Sequence, residues 1–380
     1  MAEDWEAGGF GLYIHWPFCA AKCPYCDFNS HVSRSIDHDA WCAAYLSEIE
    51  RLGAETTGRV LRSVFFGGGT PSLMEPRVVG AILDAVHRTW PIANDMEITL
   101  EANPTSVEAA RFADFRAAGV NRVSMGIQAL NDPDLHALGR LHTAAEGLAA
   151  FDIARDTFDR VSFDLMYGRQ NQSLRDWEAE LSRALSLDLN HLSLYQLTIE
   201  PGTAFGDRYD AGKLAGLPND DLSADLYALT QDLTAAAGLR RYEVSNHARD
   251  GADSRHNLVY WRYGDYIGIG PGAHGRLTLD GNRWSTEQVR MPKAWLDGDT
   301  RETRTTLTPS DAATEYMLMG LRLAEGVDLD RYAALSGIDP SKDVLDDLIE
   351  NRFITVQNRR LIVQDQGVMI LNEILRQLLT

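Results

Sequence analysis

Three of the four cysteines in this 380-residue chain fall within eight positions, Cys19, Cys23 and Cys26, in "FCAAKCPYCDF". The gaps are three residues and then two, and no fourth cysteine follows nearby. Three chemistries use closely spaced thiols. Structural zinc needs a fourth ligand, for which His15 and His31 are the nearest candidates. A redox pair would use Cys23-Pro24-Tyr25-Cys26 and leave Cys19 idle. An iron–sulfur cubane held by three thiolates keeps one iron open for another ligand. Pro17 and Pro24 stiffen the loop, and Trp16, Phe18, Tyr25 and Phe28 supply an apolar wall that excludes water. Cys42 lies in the helical pattern "DAWCAAYLSEIE" and is expected to pack as a small apolar residue.

The elements that must position these thiols alternate. Strand candidates "GLYIHW", "LRSVFFG", "MEITLEA", "RVSMGIQ", "RVSFDLMYG" and "HLSLYQLTI" are separated by helical patterns, among them a single helix in "SVEAARFADFRAAG". Repeated strand–helix units imply a parallel sheet. Polar residues recur where strands end: Gly67 to Pro71, then Glu101 and Asn103, Gln128, Asp164, and Tyr195 with Gln196. In a barrel these ends share one mouth, and the cysteine loop, which follows the first strand, opens there too. That coincidence favours the cluster among the three chemistries. It also predicts an α/β fold, a partial (β/α)6 TIM-type barrel over residues 1–240. An aromatic and glycine-rich extension follows over 241–299, with "RRYEVSNHA" read as a further strand. A small C-terminal α+β, winged-helix-like module spans 300–380.

The formal charge is −19, and from Arg301 on nine basic residues face thirteen acidic ones. Neither balance suits a polyanion, so no nucleic-acid partner is expected. No stretch approaches the ~20 apolar residues of a membrane span, and "MAEDWEAGGF" lacks the basic and apolar regions of a signal peptide. A cytoplasmic location is expected, where thiols serve metals or redox more than disulfides.

The C-x3-C-x2-C pattern resembles the radical S-adenosylmethionine superfamily. "YIHWPFCAAKCPYCDFNSH", "FFGGGTPSLM", "SMGIQ", "LGRLH" and "HNLVYWRYGDYIGIGPGAHGR" extend that resemblance over nearly the whole chain. Together with the C-terminal module they are similar to the oxygen-independent coproporphyrinogen dehydrogenase group, and within it to the heme-chaperone branch. By that resemblance Cys19, Cys23 and Cys26 ligate a 4Fe-4S cluster, and Tyr13 and Tyr25 flank S-adenosylmethionine. Gly68, Gly69 and Thr70 approach its amino group, and Glu101, Gln128, Arg140 and Asp164 contact it. In the dehydrogenase branch a cysteine stands where this chain has Phe28, and a longer segment precedes the cluster loop than the eighteen residues here. The His-Asn-x-x-Tyr-Trp motif of the chaperone branch is present, and it implies heme binding by His256, Tyr260 and Trp261. His247 and His274 are alternative ligands. The function so implied is heme carriage to an acceptor hemoprotein, plausibly respiratory, with a reductant for the cluster. Oxidative decarboxylation of coproporphyrinogen III and a zinc-stabilised binding module are the alternatives.

Overall fold

The computed structural model describes residues 3–298 and 300–379. All six expected strands form: β1 (Phe10–Trp16), β2 (Leu61–Gly68), β3 (Ile92–Ala102), β4 (Arg122–Gln128), β5 (Arg160–Tyr167) and β6 (His191–Gln196). Each pairs in parallel with the next. Phe10, Leu12, Ile14, Val64, Phe66, Leu100, Val123 and Phe163 are fully buried and, by strand alternation and register, share one face of the sheet in the main core.

Helices α1 (His38–Glu55), α2 (Pro76–Thr89), α3 (Ala144–Thr157) and α4 (Leu174–Leu185) return the chain between strands, and α5 (Asp220–Ala236) follows β6. Their starts are written in the sequence. Asp37 caps α1, while Thr143 with Glu146 and Ser173 with Asp176 form capping boxes for α3 and α4.

The single helix expected between β3 and β4 is instead two short pieces, Ser106–Ala109 and Phe112–Ala117. Two side chains explain the break. Glu108 turns inward to Ser72 Oγ and the Asn103 amide, and Arg111 reaches the carbonyls of Ser72 and Met74 at 2.9 and 2.5 Å. "RRYEVSNHA" likewise divides into β7 (Arg240–Glu243) and β8 (Asn246–Ala248), an antiparallel pair. The Glu243 carboxylate accepts from Ser245 N and Asn246 Nδ2 and closes the turn between them.

The segment after residue 248 is part of the same sheet. Helix α6 (Arg255–Trp261) carries the His-Asn-x-x-Tyr-Trp motif. Then β9 (Asp265–Ile269) pairs in parallel with the free edge of β1, Phe10 opposite Asp265 and Ile14 opposite Ile269. The parallel run therefore has seven strands where six were expected. Strands β10 (His274–Leu279), β11 (Asn282–Gln288) and β12 (Glu302–Thr306) extend that edge antiparallel. The full order is β12-β11-β10-β9-β1-β2-β3-β4-β5-β6-β8-β7.

A smaller α+β region completes the chain, with its own core around Met317, Leu361 and Ile374. It comprises α7 (Pro309–Gly320), β13 (Val327–Asp328), α8 (Leu329–Ser336), α9 (Lys342–Glu350), β14 (Ile354–Gln357), β15 (Arg360–Val363) and α10 (Leu371–Leu378). The hairpin of β14 and β15 turns at Asn358 and Arg359, both at positive φ, as a two-residue hairpin loop demands.

Candidate functional site

β1 ends at Trp16, and the chain continues as a short strand, Phe18–Cys19, clasped in parallel to His31–Val32. The eleven residues between bulge outward as the thiol loop, and Cys26 N donates to Cys23 O at 3.2 Å to tighten it. Trp16, Phe18 and Trp41 pack edge to face behind the clasp. The β2 exit lies directly beneath: Gly69 N donates to Trp16 O at 2.7 Å and Thr70 N to Phe18 O at 2.8 Å. A Cβ on Gly69 would stand 2.6 Å from the Phe18 carbonyl oxygen, so only glycine permits this approach.

The three thiols are half-buried and unbridged, and they line a cavity of about 190 Å3. Hydrogen-bond donors address two of them. Thr70 Oγ1 is 3.5 Å from Cys19 Sγ, and Arg140 Nη1 is 3.3 Å from Cys23 Sγ. Burial pushes the Cys19 and Cys26 thiols above their ordinary value. Arg140 Nη2 donates to Asn103 Oδ1 at 2.7 Å and to Gly126 O at 2.8 Å, and Asn103 Nδ2 donates to Thr70 Oγ1 at 3.2 Å. One web thus joins the exits of β2, β3 and β4 to the loop.

Two carboxylates face the same space. Gly68 N donates to Glu101 Oε2 at 3.2 Å. Burial, and then the nearby Asp164, push Glu101 up to about 8, and burial pushes Asp164 up to about 6. A buried carboxylate pair of this kind awaits a cation. Gln128 adds a strained polar group, held at φ 70° with its buried Oε1 lacking a hydrogen bond.

A second, larger cavity of about 530 Å3 opens beside the first, and Phe28, Gly68, Glu101, Ser124 and Asp164 line both. Its wall is aromatic: Tyr13 from β1, Tyr195 from β6, Tyr260 and Trp261 from α6, and Tyr266 from β9. Because β1 and β6 both face it, the sheet curls around this space. His256 also lines it, stacked on Phe65 with ring centroids 4.9 Å apart. Ser63 Oγ is 3.0 Å from His256 Nδ1, and among the described residues Nε2 has no hydrogen bond. Burial brings this imidazole down to about 3, so it is neutral near pH 7. The buried Trp261 Nε1 also has no hydrogen bond among the described residues.

The candidates thus divide between two cavities. Cys19, Cys23, Cys26, Tyr25, Gly69, Thr70, Gln128 and Arg140 line the smaller one, while Gly68, Glu101 and Asp164 line both. Tyr13, His256, Tyr260 and Trp261 line the larger one, as does His274. His247 does not; its Nε2 faces Gln231 Oε1 at 3.2 Å, away from that wall. Neither histidine considered for zinc joins the thiols. His15 spends both ring nitrogens on Tyr13 OH and Asn29 O, and His31 turns to Asn29 Oδ1. Among the described residues no three His, Cys, Asp or Glu side chains group to hold a single metal ion. A cubane bonds each thiolate to a different iron and needs no such single-ion grouping.

Asn103 stands at the mouth as its strand-end position implied, but motif reasoning did not single out Ser63, the partner of His256, or Arg122, which lines the larger cavity. Both are lone polar residues in buried strands, and only their placement in a barrel marks them.

Residues 13–184 match the radical SAM superfamily, and residues 307–370 match the HemN C-terminal domain. The chain is 39% identical over 369 residues to heme chaperone HemW of Escherichia coli (strain K12), covering 96% of each protein. It belongs to the radical SAM superfamily, close to HemW and HemN. Within this superfamily it is also 35% identical over 378 residues to heme chaperone HemW of Bacillus subtilis (strain 168), covering 95% of this chain and 97% of that protein. Radical S-adenosyl methionine domain-containing protein 1, mitochondrial, of Bos taurus is 38% identical over 386 residues, covering 97% and 87%. The solved coproporphyrinogen III oxidase (HemN) from Escherichia coli superposes with a TM-score of 0.81 over 98% of this chain and 90% of that one, at 21% identity. That likeness is one of fold. The superfamily match ends at residue 184, in α4, so α6 and its aromatic wall lie beyond it. Among the described residues no helix is long and apolar enough to cross a membrane.

Proposed function

We propose that the protein is a cytoplasmic heme chaperone that holds a 4Fe-4S cluster, S-adenosylmethionine and heme, and passes heme to an acceptor hemoprotein. The observation that carries this is the placement of His256: a neutral, buried imidazole on the wall of an aromatic cavity, with Nδ1 engaged by Ser63 and Nε2 unbonded. A histidine oriented through one ring nitrogen and open at the other is the usual arrangement of an axial ligand. Tyr260 and Trp261 add faces for a porphyrin, and a volume of about 530 Å3 suits a ligand of that class. The relatives named heme chaperones support the same reading.

The donor set at the mouth fits a three-thiolate cluster: Cys19, Cys23 and Cys26 converge there, and hydroxyl and guanidinium donors address two of the sulfurs. When bound, such a cluster supplies an open iron to S-adenosylmethionine and an electron for its cleavage. This chain's own residues bind and orient the sulfonium compound. Gly68, Gly69 and Thr70 admit its amino group, Arg140 pairs with its carboxylate, and Glu101 and Asp164 oppose its positive charge. Cleavage requires a reductant as a further partner.

The test is anaerobic reconstitution with iron and sulfide, followed by heme titration and a turnover assay on one sample. A Soret band that weakens in His256→Ala supports carriage. Conversion of coproporphyrinogen III to protoporphyrinogen by that sample would overturn it in favour of the dehydrogenase.

A further inference from the structure

Arg122 opens β4 and is 3% exposed, yet it is under-paired. Its Nη1 donates to Thr99 Oγ1 at 3.3 Å, its Nε lies 3.8 Å from Glu97 Oε2, and Nη2 has no hydrogen bond among the described residues. Glu97 is already committed. Arg160 Nη1 takes Oε2, while Oε1 accepts from Ser254 Oγ at 3.3 Å and from the His256 amide at 3.2 Å. Two buried or half-buried guanidiniums therefore share one carboxylate. Glu101, Asp164 and Glu243 face the same cavity, and none of them forms an ion pair with Arg122. Arg122 acts at a distance on Glu101 and Asp164, but within contact it has only Thr99 and the shared Glu97, and a carboxylate supplied from the cavity would give its Nη2 the close partner it lacks.

We propose that Arg122 binds a carboxylate of the cavity's occupant, and on the heme reading, on which this rests, that carboxylate is a heme propionate. A guanidinium fork matches a carboxylate in shape and charge. The placement adds a second fixed point to the axial ligand. Glu97 holds the His256 amide with one oxygen and faces Arg122 with the other, so one carboxylate sets the iron-binding and propionate-binding groups in a common frame. Arg122 stands at the start of its strand, whereas Gly68, Glu101 and Gln128 mark strand ends. Arg122 lies opposite Thr99, two residues deeper along the strand pair than Glu101, which lies opposite Ser124.

The experiment compares heme with its dimethyl ester by Soret titration of reconstituted wild type, Arg122→Gln and Arg122→Lys. Wild type is expected to bind the ester about tenfold or more weakly than heme, the loss of one charge-assisted hydrogen bond. Arg122→Gln should bind both ligands at the weak level, and Arg122→Lys should restore part of the preference for heme. Equal affinity of wild type for heme and ester overturns the assignment, with no substitution needed. So does a preference that persists in Arg122→Gln. No Soret band with heme in wild type defeats the heme reading itself and takes the propionate assignment with it; a band lost in His256→Ala but indifferent to the ester defeats only the assignment.

Discussion

Arg140 places Nη1 3.3 Å from the Cys23 sulfur while Nη2 is fixed by Asn103 and the Gly126 carbonyl. Its buried Nε has no hydrogen bond among the described residues, so the side chain holds its place through the two terminal nitrogens. Lysine keeps the charge and loses the fork, whereas glutamine loses both. Arg140→Lys is expected to weaken S-adenosylmethionine binding about tenfold, and Arg140→Gln about 100-fold, since a hydrogen bond to a charged group contributes roughly 1.5–3 kcal/mol. Iron content should stay near wild type in Arg140→Lys, which keeps a cation beside the Cys23 sulfur. Calorimetry on reconstituted protein, with iron quantified on the same sample, checks the two numbers separately.

Glu101 and Asp164 make binding and stability depend on pH in opposite directions. Both carboxyls are raised when folded, to about 8 and about 6, so between the ordinary carboxylate range and those values the folded state holds more protons than the unfolded one. Stability of the apo protein is therefore full below about pH 4.5 as far as Glu101 is concerned, falls as pH rises, and has lost this contribution once pH passes about 8. Cation binding runs the other way, because the ionised carboxylate is the form that attracts a sulfonium. Affinity for S-adenosylmethionine should rise between pH 6 and 9. Glu101→Gln should flatten that rise and lift the apo melting temperature at pH 8.5. A pH-independent affinity in wild type would remove Glu101 from the cation site.

How much of this was legible in the sequence depends on where the deciding forces act. The thiol loop, the glycine run and six strands are local patterns, and each formed where its residues predicted. β9 is not legible as a sheet member because "DYIGI" is a short run interrupted by Gly268 and pairs with β1, some 250 positions away. The break between Ser106–Ala109 and Phe112–Ala117 carries no proline or glycine; Glu108 and Arg111 end the helix by reaching Ser72 and Met74 across the fold. The same holds for the site. Motifs marked Cys19 and His256, but Ser63 and Arg122 acquire their roles only when curvature brings β2, β4 and α6 around one cavity.

Gly69 tests the coupling between the β2 exit and the thiol loop. A methyl group there meets the Phe18 carbonyl oxygen at 2.6 Å, its carbon at 2.9 Å and its nitrogen at 3.0 Å, all backbone atoms one residue before Cys19. Backbone cannot rotate away as a side chain can, so the clasp must shift, at roughly 1–3 kcal/mol for overpacking. Gly69→Ala is expected to fold with a modestly lower melting temperature and to lose at least half its reconstituted iron. Iron and sulfide analysis beside a thermal melt reads both. Full iron loading would mean the loop tolerates displacement of Phe18.

Arg331, on α8, binds the C-terminal region to the end of the motif helix. Its Nε and Nη2 donate to the Asp4 carboxylate at 2.7 and 2.8 Å, Nη1 donates to Arg262 O at 2.7 Å, and Nη2 donates to Tyr263 O at 3.0 Å. Arg262 and Tyr263 directly follow Trp261, and Tyr263 is held at φ 57°, a conformation that persists only where its surroundings enforce it. Arg331→Ala weakens that enforcement, leaving the Arg262 carbonyl without its side-chain donor and the Tyr263 carbonyl with Arg283 Nη2 alone at 3.3 Å, at roughly 1–3 kcal/mol. The melting temperature should fall by several degrees, and heme should bind more weakly while iron loading is unchanged, because the perturbation enters α6 from the side away from the thiols. Arg331→Lys, which keeps the charge and fewer of the hydrogen bonds, should lie between. A lower melting temperature with unaltered heme affinity would show that the C-terminal region supports the fold without setting the position of His256.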